Sequence, residues 1–115
     1  MHTVVIKRAL YEKCPFVATS LYNALSDAKG IALRRMRSTN ALRYMLPWLP
    51  SALDEIEEVF EDGDPWPYGV GSNRRTLQAL VDALFEQSMI PKEVSVDELF
   101  VPVHGQNFKV GWGLL

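Results

Sequence analysis

Along this chain apolar residues recur mostly at helical spacing, and one short run departs from it. That run is Thr3-Val4-Val5-Ile6, β-branched throughout and closed by Lys7-Arg8, and it predicts one buried strand over His2–Ile6. A single strand leaves its ladder unpaired, so it requires a partner in this chain, in another copy or in a further segment. Ala9 to Cys14 reads as a turn or a short helical piece, and Pro15 suits the first turn of a helix. Val17, Leu21, Ala24, Leu25, Ala28, Ile31 and Ala32 then keep a helical period and predict a helix over 15–37. Gly30 is its weak spot, costing about 1 kcal/mol against alanine. Arg34, Arg35 and Arg37 fall in its last turn, where the dipole favours cations, and a solvated helix end is favoured over an anion site.

Ser38-Thr39-Asn40 is a capping cluster for a short helix over Ala41–Leu46, with Leu42, Met45 and Leu46 inward, and Pro47-Trp48-Leu49-Pro50 breaks it. Ser51 is placed to cap the next helix, whose Leu53, Ile56, Val59 and Phe60 share a face. The opposite face is acidic, with Asp54, Glu55, Glu57, Glu58, Glu61 and Asp62. Lacking histidine partners and the alternation of a calcium loop, it reads as a solvated face, and no metal site is expected. Leu77, Leu80, Val81, Leu84 and Phe85 predict a helix over about 73–88, and Ser95-Val96-Asp97-Glu98 is a capping box for a short helix ending near Val101. The tail from Pro102 to Leu115 has no helical period. The fold class expected is mainly α: three to four helices with one short N-terminal strand.

Between the acidic helix and the helix over 73–88 lies Asp64-Pro65-Trp66-Pro67-Tyr68-Gly69-Val70-Gly71-Ser72-Asn73-Arg74. Two prolines fix the backbone around Trp66 and remove two amide donors, so the loop is stiff. Gly69 and Gly71 permit a sharp reversal, and Ser72 or Asn73 is placed to cap the following helix. Two readings stay open. The loop and helix N-terminus hold a small anion, or Trp66 and Tyr68 plug a core. Arg74 and Arg75 in a first turn are disfavoured by the dipole, which points to a nearby anion or carboxylate, with Asp64 the internal choice.

Composition narrows the functions. The chain has 115 residues, 48% hydrophobic and 23% charged, which suits one ordered domain and excludes disorder along its length. A net charge of −2, with no interleaving of basic and aromatic residues, gives no nucleic-acid footprint. Cys14, the single cysteine, has no internal partner and suits a reducing, cytoplasmic compartment. No segment has the roughly 18 apolar residues of a membrane span. The sequence lacks a phosphate loop, zinc spacing and a strand-elbow serine, so no cofactor is expected; His2, Cys14 and His104 form no triad that spacing supports.

Asp64-Pro65-Trp66-Pro67-Tyr68-Gly69, with Asn73-Arg74 and Thr76-Leu77, resembles the C-terminal part of the 4,5-dihydroxyphthalate decarboxylase family. The resemblance runs from Met1-His2-Thr3-Val4-Val5 through Tyr44-Met45-Leu46-Pro47-Trp48-Leu49 to Glu98-Leu99-Phe100, over residues 1–101, and leaves 102–115 as a divergent tail. It implies the last part of an α/β type II periplasmic-binding fold with two lobes around a cleft. It also implies loss of a carboxylate from a dihydroxylated aromatic diacid. That chemistry needs a proton donor, a cation for the carboxylate that stays and contacts for the ring. The matching residue types are His2 as donor, Arg74 as clamp, with Asn73 beside it, and Trp66 and Tyr68 against the ring. Gly71-Ser72 departs from the family, whose members carry an acidic and a small residue there. Two other readings remain: a solute-binding module for a small organic anion, periplasmic in that case, and an inactive helical remnant that self-associates. Expected partners are a small aromatic carboxylate or other organic anion, and a second copy or a missing N-terminal portion.

Overall fold

A computed structural model describes residues 2–38, 44–60 and 64–104. All regular structure among them is helical: α1 (Arg8–Lys13), α2 (Phe16–Arg37), α3 (Leu49–Val59), α4 (Val70–Glu86) and α5 (Val96–Leu99). The chain divides into two units, one holding the residues up to Trp66 together with His104, the other Pro67–Val103.

The N-terminal strand does not form, and the described residues hold five helices where three or four with a strand were expected. Residues 2–7 carry no regular structure, and Val5 is 86% exposed. A β-branched run becomes a strand only when a ladder partner accepts its amides, and none is present among the described residues. With no strand among the described residues there is no sheet among them either, and the expected α/β part of the fold class is not borne out.

In the first unit α2 packs against both α1 and α3. It begins one residue after Pro15 and runs through Gly30 without a break. Its buried positions are Ala18, Ser26 and Gly30, spaced so that all share one side. Gly30, with no side chain of its own, is thus buried in the middle of the helix despite its helix cost. The apolar stripe legible in the sequence is instead largely open: Ala24, Leu25, Ala28, Ile31 and Ala32 are all exposed.

Helix α3 starts at Leu49, with Trp48 at the N-cap and Pro50 in the first turn. Pro50 therefore begins a helix, because a first-turn residue has no helical amide to lose, and the expected Ser51 cap is not used. Arg37, at the end of α2, closes on α3. Its Nη2 donates to Glu57 Oε2 at 2.6 Å and to the Leu53 carbonyl at 3.3 Å, and Asp54 lies 3.6 Å from Nη1. Part of the acidic face thus grips a cation from its neighbour helix, where a solvated face was expected. The short helix expected over Ala41–Leu46 falls partly on residues 41–43, outside the described residues; Tyr44, Met45 and Leu46 are non-helical and exposed.

The second unit has its own core. Leu77 and Val81, one turn apart on α4, meet Val96 of α5, which is only 1% exposed, with Val70, Ile90, Val94 and Phe100 packed around them. Helix α4 ends without glycine or proline. Ser88 takes φ 56°, Met89 N–H donates to the Leu84 carbonyl at 2.9 Å and Ser88 N–H to that of Phe85 at 2.9 Å. This is the Schellman arrangement, with serine in the left-handed position. Ser95 caps α5, its Oγ accepting from Asp97 N–H at 3.3 Å, and the helix stops at Leu99, short of Val101.

Val96→Ala should destabilise the fold by about 2 kcal/mol, the sum of two lost methyls and a partly relaxed cavity. Val5→Ala should change it by less than about 0.5 kcal/mol. Urea denaturation followed by circular dichroism measures both, and equal effects would contradict the location of the core.

Candidate functional site

The aromatic loop is held from within each unit by side chains. On the side of the first unit, Lys29 of α2 donates from Nζ to Asp64 Oδ2 at 2.6 Å and to the Trp66 carbonyl at 3.1 Å. The other oxygen of Asp64 accepts the Trp66 amide at 3.0 Å, a local turn closed by the aspartate itself. The Lys29 and Asp64 side chains are only 10% and 16% exposed, so the pair lies largely out of water. Such burial is tolerable because the ammonium and both carboxylate oxygens are hydrogen-bonded. The Trp66 residue is nonetheless 63% exposed. Trp66 plugs no core.

On the side of the second unit, Gly69 takes φ 93° and stands as the N-cap of α4. Glycine alone enters that region without strain. The helix therefore starts at Val70, three residues before the expected 73, and Ser72 and Asn73 lie inside its first turns. Asn73 does not cap amides. Its Nδ2 donates to the carbonyls of Pro67 at 2.8 Å and Gly69 at 2.9 Å. Asn73 is thus a brace for the loop backbone, and its amide donors are engaged there. Tyr68 is half-buried.

Arg74 carries the most pronounced electrostatics. Its Nη2 donates to Asp97 Oδ1 at 2.6 Å and Nη1 to Asp97 Oδ2 at 3.2 Å, a two-point fork on a carboxylate. The internal partner is Asp97 of α5 and not Asp64, which Lys29 already holds. The hydrogen bonds and charge of Asp97 raise the Arg74 pKa above its ordinary value, and those of Arg74 lower that of Asp97. Both side chains are open to solvent.

His2 is exposed in the irregular segment before α1. The predicted residues thus divide, His2 and Trp66 in the first unit and Tyr68, Asn73 and Arg74 in the second. Sequence reasoning missed Lys29 and Asp97. Each is bonded to the motif across a long stretch of chain, 35 and 23 residues, and no local spacing signals either. Among the described residues there is no cluster of metal-ligating side chains, and no helix is long and apolar enough to cross a membrane.

No family model matches the chain, and no solved structure does. The sequence is similar to 4,5-dihydroxyphthalate decarboxylase of Comamonas testosteroni, 26% identical over 110 residues that take in 96% of this chain and 33% of that protein. The two are distant relatives along nearly all of this chain, which spans about a third of the relative's length.

Because Asp97 releases its proton more readily folded than unfolded, its pairing favours the folded state above the ordinary aspartate pKa of about 3.9. That contribution fades as pH falls through the lowered value, while Arg74 stays charged throughout. Asp97→Asn should therefore melt slightly below the parent chain at neutral pH and level with it in strong acid. Thermal melts over that range read the gap, and a gap unchanged in acid would mean that charge is not its cause.

Proposed function

We propose that this chain is the carboxylate-holding part of a decarboxylase-like protein acting on an aromatic carboxylate. The observation that carries the reading is the two-point fork of Arg74 on Asp97 at the protein surface. A guanidinium that binds one carboxylate in this geometry is chemically suited to bind another, and an exposed pair is weak enough to exchange. The distant likeness to a protein named as a decarboxylase supplies the class of ligand.

In such a reaction the bond between ring carbon and carboxylate breaks, the electron pair stays on the ring carbon, and carbon dioxide leaves. A proton then takes the vacated position. Arg74 holds a carboxylate that stays, after displacing Asp97. Tyr68, in the same unit as Arg74, offers a face to the ring. Asn73 keeps the loop backbone in place through Pro67 and Gly69.

A second reading, self-association without chemistry, draws on the open apolar stripe of α2. Stripes of this kind drive pairing when nothing else covers them.

Calorimetric titration with 4,5-dihydroxyphthalate separates the two. Asp97→Asn, which removes the internal competitor, should tighten binding about two- to fivefold, the worth of one exposed ion pair. Arg74→Lys should weaken it, since a lysine cannot make the two-point contact, and Arg74→Ala should abolish it. Equal affinity in the parent chain and Arg74→Ala would sink the carboxylate reading. A stable dimer by light scattering that binds no diacid would leave self-association in its place.

A further inference from the structure

We infer that Lys29 is a positioning residue: it holds the Asp64–Trp66 segment so that the Trp66 indole is presented, already ordered, to the ring of an aromatic ligand. The inference rests on the aromatic-ligand reading above and adds to it a residue outside the loop and its motif.

Three hydrogen bonds converge on this short segment. Lys29 reaches the Asp64 carboxylate and the Trp66 carbonyl, and Asp64 itself takes the Trp66 amide. Both polar groups of the Trp66 backbone are thereby engaged. Pro65 and Pro67 remove further freedom on either side. The cation comes from the middle of α2, a 22-residue helix, so the loop is tied to a long and regular element. The ion pair is mostly shielded from water, which strengthens it relative to a surface pair. All this anchoring serves a residue that is itself mostly exposed. A loop fixed only to fill a core would turn its indole inward. Fixing the backbone while leaving the ring in solvent cuts the ordering cost of stacking, because the ring is in place before the ligand arrives. An indole face suits a flat electron-rich ring by offset stacking.

The chain has three tryptophans, so the test uses Trp48→Phe with Trp112→Phe, leaving Trp66 as the sole indole. Time-resolved fluorescence anisotropy reads the local wobble of Trp66, and quenching by catechol, which has no carboxylate, reads ring binding. In that background Lys29→Met should increase the fast wobble and weaken catechol quenching about tenfold, the effect of losing one preorganising anchor. Far-ultraviolet circular dichroism should stay the same. Asp64→Asn keeps an oxygen for the Trp66 amide but removes the charge; it should reproduce both effects, and the double variant should add little. It also decides the matter if Lys29→Met does not fold.

Unchanged wobble in both variants would overturn the positioning role. So would wobble that rises only together with general loss of helix. Normal wobble changes with no catechol quenching in any version would overturn the ring-binding half. The diacid titration varies Arg74 and leaves Lys29 and Trp66 in place, whereas the catechol test varies Lys29 and uses a probe without a carboxylate, so a failure of the inference is distinguishable from a failure of the carboxylate reading.

Discussion

Two cations on α2 carry much of the first unit. Lys29 ties the aromatic loop to the helix, and Arg37 ties α3 to it. Few apolar side chains are fully buried here: Ala18 and Leu53 are the buried hydrophobic residues among those described in this unit. Where hydrophobic burial is sparse, directional contacts decide which segment lies where. Each cation meets both a carboxylate and a backbone carbonyl, which fixes position more tightly than charge alone. The second unit is organised differently. Its α4 and α5 meet through Leu77, Val81 and Val96, and its one ion pair among the described residues, Arg74 with Asp97, lies outside that core.

How much of this the sequence revealed depends on the range of the signal. The existence of α2, α3 and α4 was legible, because helical periodicity is local. Which face each helix buries was not. The stripe of α2 containing Leu25 and Ile31 is the obvious one to the eye, yet small residues on another side are buried. Burial is set by what packs alongside, and periodicity does not encode it. The strand failed for the same reason, since Thr3-Val4-Val5-Ile6 has the right composition but needs a second strand to become one. The start of α4 slipped because Gly69, through its positive φ, outcompeted Asn73 for the cap.

The candidate site was legible as a set of residue types and not as an arrangement. The proline-flanked tryptophan, the asparagine and the arginine all stood out in one stretch. The structure gives them different work. Asn73 braces carbonyls and Arg74 already grips a carboxylate. The residues that complete each contact, Lys29 and Asp97, lie far off in sequence and look like ordinary charged helix positions. A cation in a helix's first turns did hint at a nearby acid; the hint named the wrong one, because Asp64 had a nearly buried partner to satisfy first.

The end of α4 has an implication for how this protein could change over time. Ser88 occupies a left-handed backbone position in which a side chain is an encumbrance, and it is exposed. The hydrogen bonds that close the helix there come from backbone amides, so they would survive a change to glycine. The position is thus an unused reserve of robustness, open to drift at no cost in contacts. A lineage could draw on it to absorb a damaging change at Arg74, Asn73 or Asp97, in the same unit, without altering any residue of the loop.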